Sequence, residues 1–421
     1  YKGISQVLDD TPEALDRVHG DLKTLSEGGR SGRESDFTSE TLLRALIVMM
    51  VEGLSYRETV VRIADSEFLQ DFIRTGKKAV MDHTFLHRAF KVIRPATWKR
   101  VNRILGQDST QSETIDPSTI RVDTTVVETN IHFPTDSSLL WDTWRVASRI
   151  MQRGREIAPQ SCPHRFHDKK IKRLHLLVTR YSNSTAKKRK RQVARDLRVL
   201  VQRVGWIVEI AGEFCDFAKR SRSLPLQGLG LELEAYLPAM RQVVRQAARR
   251  ASGETVRAAE RVFSIFESHT ELIKRGRRHK PVEFGHVILL CQTAEKFITD
   301  YEAYETRPAD CDLTETILDR HEAIFGELPS VLAGDKGFCP DSETIERLEE
   351  RVETLAIPRR LRDFADAAMT AWQSFRAGIE GTISGLKRAF RLSRCYFRTF
   401  KSFQASIGLG VFCHNLVLLS K

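Results

Sequence analysis

Cysteine is scarce and shows no pairing pattern. Seven occur in 421 residues (Cys162, Cys215, Cys291, Cys311, Cys339, Cys395 and Cys413), an odd number with no CxxC pair. This argues against a disulfide framework and fits a reducing cytosol. Apolar runs of the roughly 18 residues that a membrane span needs are missing too. The nearest, ASIGLGVFCHNLVLL, is short and carries His414 and Asn415, so a buried terminal helix is expected. No secretory leader is visible. The chain opens on Tyr1 rather than Met, so its natural start is expected upstream. Cys162-Pro163-His164 with His167 lacks a fourth ligand for zinc. Gly228-Leu229-Gly230 follows no strand, which excludes a dinucleotide-binding fingerprint.

What is abundant is positive charge. Lys and Arg total 67 against 55 Asp and Glu, a net +12, and 29% of residues are charged. Such an excess favours polyanionic partners through phosphate contacts and counterion release. A hydrophobic content of 41% provides for real cores, and the length allows two or three domains.

Periodicity divides the chain. Residues 1–112 are expected to form short helices: TLLRALIVMMVE stopping at Gly53, a helix capped by Ser55 and Glu58, SEFLQDFIRTG, HTFLHRAFKVI capped by Asp82, and one capped by Thr97 that runs to Gly106. Lys77, Lys78, Arg88, Lys91, Lys99, Arg100 and Arg103 accompany the later ones, as in a helix-turn-helix module. Residues 113–137 turn to strand texture in IRVDTTVVETNIHF. A basic helical insertion is expected over 138–266. Leu197, Leu200, Val204, Ile207, Ala211 and Phe214 form one apolar stripe there, KKRKR spans 187–191, and RQVVRQAARRASGETVRAAERVFSIF reads as a second long helix. From 267 to 421 the order is ELIKRG, VEFGHVILLCQ and FITDYEA as strands, a helix, SVLAGD, a helix capped by Asp341, LAIP, and a helix over WQSFRAGIEGTISGLKRAFR.

Three carboxylates stand out in this layout. Asp123 and Asp335 are expected at strand ends, and Glu380 lies on the late helix. Hard carboxylates on rigid elements suit a pair of divalent cations, which neutralise the attacking and leaving oxygens of a phosphoryl transfer. At about 100° per residue, Phe375, Ile379, Ile383, Leu386 and Phe390 share one helix face. Arg376, Glu380, Lys387, Arg391 and Arg394 share the adjacent one. Gly378, Gly381 and Gly385 form a third face, suggesting close approach by another backbone or a kink.

Arg376-x3-Glu380-x6-Lys387 resembles the signature helix of DDE transposases from bacterial insertion sequences. VDTTVVE and AGDKGF are similar to that family's first and second aspartate segments, and LLRALIVMMVEGLSYRETVVRIADS to its N-terminal helical module. The wider signature has a tyrosine where this chain has Gln373, beside Trp372.

The resemblance implies an α/β (mixed α+β) fold. A ribonuclease-H-like catalytic domain (113–137 with 267–421) is split by a helical insertion (138–266) and preceded by an all-α helix-turn-helix-like domain (1–112). It implies metal-dependent strand cleavage at the ends of a mobile element, then strand transfer into target DNA. Asp123, Asp335 and Glu380 would bind two Mg²⁺ or Mn²⁺ ions, while Arg376, Lys387, Arg391, Arg394 and Lys336 would contact DNA. The implied partner is double-stranded DNA (terminal inverted repeats and target), bound by a homodimer or higher oligomer in the bacterial cytoplasm, on the nucleoid and away from membranes. A host-adopted nuclease that cuts without joining and a non-catalytic architectural DNA-binding protein are the alternatives. The fold is expected to bring residues 123, 335 and 380 together in an open, cation-lined pocket.

Overall fold

The computed structural model describes residues 1–27, 37–76, 80–274, 281–359 and 367–421. Lys77 and Lys78 lie outside the described residues. The chain divides into two compact units, Tyr1–Glu128 with Gly285–Lys421, and Thr129–Phe284.

Among the described residues the first unit begins with eight helices: α1 (Lys2–Asp10), α2 (Pro12–Leu22), α3 (Thr24–Glu27), α4 (Ser39–Val51), α5 (Tyr56–Ala64), α6 (Glu67–Phe72), α7 (His83–Val92) and α8 (Pro95–Gln111). Local chemistry sets their ends. Ser55 and Glu58 form the expected capping box, and Asp82 accepts from the Thr84 amide at 2.8 Å. Helix α4 is apolar nearly all round because it is buried nearly all round. Its one cation, Arg44, is satisfied by Glu40 at 2.8 Å, Asp9 at 3.0 Å and Ser5 at 2.6 Å.

The expected Thr97 cap is corrected. Pro95 starts α8 at a first-turn position, where its missing N–H and fixed φ cost nothing, and the helix continues past Gly106 to Gln111. The Thr97 hydroxyl instead donates to buried Asp21 at 2.5 Å.

Strand β1 (Thr119–Thr129) leaves the first unit and enters the second. That second unit holds α9 (Asp136–Ile157), α10 (Asp168–Tyr181), α11 (Lys187–Arg220), α12 (Leu224–Ala251) and β2 (Glu271–Lys274). The apolar stripe of α11 faces its core, with Leu200, Val204, Ile207, Ala211 and Phe214 all buried. Helices α11 and α12 approach closely because Gly230 has no side chain: a Cβ there would lie 2.6 Å from that of Ala218. The helix expected over 241–266 is corrected. It begins at Leu224 and stops at Ala251, where Gly253 takes φ +95° and ends the turn.

The chain returns through β3 (Val282–Thr293) and β4 (Ile298–Ala303). Then follow α13 (Thr314–Phe325), β5 (Val331–Ala333), α14 (Ser342–Arg351), β6 (Thr354–Ala356), α15 (Ala367–Ala389), β7 (Arg394–Cys395) and α16 (Phe400–Leu419). The sheet order is β2-β3-β1-β5-β6, with β4 on β3 and β7 on β1 off this path. Strands β1, β3 and β4 pair antiparallel, and β5 and β6 run parallel to β1. This mixed sheet with its helical N-terminal region is consistent with a ribonuclease-H-like DDE domain.

Alternation along β1 sorts its side chains onto two faces. Ile120 and Val122, with Leu289 and Cys291, pack against Ile317 and Leu318 of α13 and Leu348 of α14. Val127, Ile288 and Leu290 belong to the core that includes Ile379 and Leu386 of α15 and Phe403 and Ile407 of α16. Helix α16 has the length and composition of a membrane span, but 67% of its apolar window is buried in this core.

Gly285 opposes Glu128 where β1 and β3 pair, and a Cβ there would sit 2.1 Å from the Val127 carbonyl oxygen. Backbone cannot swing aside as a side chain can. Gly285→Val is expected to cost about 3 kcal/mol or more in chemical denaturation; a loss below about 1 kcal/mol would show that this pairing tolerates bulk.

Candidate active site

The pairing of β1 with β5 brings the two aspartates near each other. Thr119, Ile120 and Arg121 pair in parallel with Val331, Leu332 and Ala333. Asp123 follows two residues after Arg121 on β1, and Asp335 two residues after Ala333, where β5 has ended; the charge of Asp335 still acts on Asp123. Asp123 is not at a strand end as expected. It is the fifth residue of the eleven-residue β1, which continues because β3 still pairs with it there. The end that matters belongs to β5. Beyond Ala333 the chain turns, and Asp335 caps a short 3-10 turn by accepting from the Gly337 amide at 2.7 Å. A Cβ at Gly337 would lie 2.9 Å from Asp335 Oδ1, so a larger residue there would push the carboxylate aside.

Glu380 is delivered by α15, and the chain locks that helix to the sheet with polar contacts. Arg121, 5% exposed, shares the Asp123 face of β1. Its Nε donates to Gln292 Oε1 at 2.8 Å and its Nη1 to the Phe375 carbonyl at 2.8 Å, with the guanidinium over the Phe375 ring. Gln292 in turn donates to Thr382 Oγ1 at 2.7 Å. A Cβ at Gly378 would lie 2.2 Å from Arg121 Nη1, so this glycine admits the guanidinium; nothing lies within 4 Å of such an atom at Gly381 or Gly385. Gln373 also has a task of its own: its amide donates to the carbonyls of Gly334 at 3.1 Å and Ala356 at 3.3 Å.

Arg376 links the site. Its Nη1 lies 3.2 Å from Asp123 Oδ2 and 3.4 Å from Glu380 Oε1. The Asp123 carboxyl is pushed up to about 6, chiefly by burial and by the charges of Asp335 and Glu380, against the pull of Arg376 and the Thr124 amide. A further carboxylate stands close by. Asp310 accepts from Thr124 Oγ1 at 3.3 Å, and its Oδ2 lies 3.5 Å from where a Gly337 Cβ would be. Among the described residues, no three His, Cys, Asp or Glu side chains form a group that could hold a metal ion as they stand. The donor chemistry nonetheless suits a hard divalent cation. The charges of Asp335 and Glu380 act on Asp123, and an arginine bridges Asp123 and Glu380.

The expected DNA contacts fall into two groups. Lys387 lies on α15 and Lys336 is exposed in the turn after Asp335. Arg391 and Arg394 are not on the helix face where the extrapolated periodicity put them. Helix α15 stops at Ala389, and Arg391 takes φ +57°. Arg391 then donates to the Leu54 carbonyl, while Arg394 in β7 pairs with Glu128 at 2.7 Å. Nearer the N-terminus, Lys99 pairs with Glu302, and Arg100 lies 3.6 Å from Glu13.

A carboxyl raised in the fold contributes stability below its unfolded pKa, near 4, and loses it as pH rises through 6. In EDTA, Asp123→Asn is therefore expected to gain on wild type by up to about 3 kcal/mol between pH 4 and 7 in urea denaturation. A constant gap across that range would show that Asp123 carries no such penalty.

Sequence reasoning missed Arg121, Gln292 and Asp310. An arginine inside a run of β-branched residues was a usable signal, since such a cation is buried only with partners. Asp310 sits in a connection without periodicity and gave none.

Residues 254–416 match the family model described as Transposase DDE domain. That stretch contains Asp335 and Glu380; Asp123 lies outside it and is linked to Glu380 by Arg376 and to both by the charges that act on it. The match supports a DDE-class transposase. No curated protein and no solved structure matches the chain.

Proposed function

We propose, taking the transposase DDE domain of residues 254–416 as the premise, that the chain binds the ends of an insertion sequence, cleaves them and transfers the freed strand to target DNA. The observation that carries this reading is the proximity of Asp335 and Glu380 to Asp123, whose carboxyl their charges raise, with Arg376 bridging Asp123 and Glu380. These three carboxylates would hold divalent cations, Mg²⁺ or Mn²⁺, which supply charge neutralisation for the attacking and leaving oxygens. Arg121 and Gln373 fix α15, and hence Glu380, against the sheet. Lys336, exposed in the turn after Asp335, and Lys387 on α15 would contribute positive charge toward the phosphodiester. Arg391 and Arg394, engaged with Leu54 and Glu128, would act on DNA only by exchanging those partners. Residues 1–112 are proposed to grip the element ends, and the basic residues of 138–266 to track the DNA backbone, within a homodimer or larger assembly in the bacterial cytoplasm.

The test is an in vitro reaction with DNA carrying the sequences that flank the coding region, plus a supercoiled target and Mg²⁺. Joined products that are lost in EDTA are expected. Nicked ends that never join would point to a nuclease of the same fold, and DNA binding indifferent to Mg²⁺ with no cutting would point to an architectural protein.

A further inference from the structure

Asp123 and Glu380 reach the same guanidinium nitrogen, at 3.2 and 3.4 Å, from different elements of the fold. The arrangement is not a surface ion pair. The Arg376 side chain is 17% exposed and that of Asp123 15%, although Glu380 is 64% exposed. Arg376 Nε is buried with no hydrogen-bond partner. A buried donor without an acceptor costs roughly 1–3 kcal/mol, which the pairing of one nitrogen with both carboxylates has to offset. Asp123 Oδ1 already accepts from the Thr124 amide at 2.7 Å, so a divalent cation held by Asp123 and Glu380 would compete with Arg376 for Asp123 Oδ2.

We propose that Arg376 is a placeholder cation: its guanidinium holds Asp123 and Glu380 together before a divalent cation binds and is displaced from them when it does. This rests on the reading that these carboxylates are cation ligands, and it adds an order of events. The carboxylate cluster is kept from repelling itself apart while empty, and the displaced guanidinium is released beside the site, where phosphate arrives. Like charges a few ångströms apart in a half-buried site need such a counter-charge.

The test uses the full chain and Mn²⁺ alone. Thermal midpoints are measured for wild type, Arg376→Gln and Arg376→Lys, in EDTA and in saturating Mn²⁺, with Mn²⁺ affinity taken from calorimetry. Arg376→Gln is expected to lower the midpoint in EDTA, to lose most of that deficit in Mn²⁺, and to bind Mn²⁺ about tenfold more tightly, since no ion pair has to be broken. Arg376→Lys, which keeps a cation on the helix, is expected to stay near wild type. An equal deficit in both conditions would mark Arg376 as a structural residue and overturn the proposal, as would unchanged or weaker Mn²⁺ binding. Wild type that binds no Mn²⁺, or binds it as well after Asp335→Asn, would instead remove the underlying site, and the placeholder with it.

Discussion

Asp335→Asn is expected to reduce strand cleavage by about a thousandfold or more while leaving affinity for element ends within about twofold of wild type. Asn keeps the size of the side chain and one oxygen, and with them the acceptor for the Gly337 amide that shapes the turn. What it loses is the negative charge that a hard cation requires. Asp335 is also placed for binding rather than for folding. It lies in a turn after β5, is not buried, and makes no ion pair among the described residues. The checks are a cleavage time course on labelled DNA ends and a gel-shift titration with the same DNA. Cleavage at the wild-type rate would show that Asp335 is not part of the reaction.

Arg121→Ala is expected to lower stability by about 3 kcal/mol and cleavage by at least about tenfold. The guanidinium is buried between β1 and α15. Its removal would leave Gln292 Oε1 without its donor and take from the Phe375 carbonyl the hydrogen bond it makes beyond its own helix. A cavity would also open against the Phe375 ring. The helix that carries Glu380 would then rest on fewer contacts, so activity should fall beyond what the lost folded fraction explains. Urea denaturation and the single-turnover cleavage rate under folded conditions separate the two effects. A variant that is less stable yet cuts normally would limit Arg121 to folding.

Much of this arrangement could be read from residue order alone. The strand carrying Asp123, the strand that leads to Asp335, the Asp341 cap and the helix carrying Glu380 all announce themselves through β-branched runs, capping residues and a period near 3.6. Those signals are local, and they served where local chemistry decides the structure. The expectations that went astray needed long-range contacts. Periodicity carried the last helix on through Arg391 and Arg394, but it cannot show that Leu54 and Glu128 wait to pair with them. Nor could it reveal that Thr97 would be claimed by Asp21, 76 residues away. The glycines of α15 were legible as unusual, and their meaning came only with Arg121, which lies against Gly378 and leaves Gly381 and Gly385 unengaged. Pairing register was equally hidden, because the offset between β1 and β5 depends on everything folded between them.

The most direct measurement is the anomalous scattering of Mn²⁺ in crystals of the full chain grown with the ion. Density within coordination distance of Asp123, Asp335 and Glu380, with Arg376 moved off its two carboxylates, is the expected result. Mn²⁺ bound elsewhere, or a fully occupied Arg376 bridge at saturating Mn²⁺, would contradict the assignment of these carboxylates as its ligands.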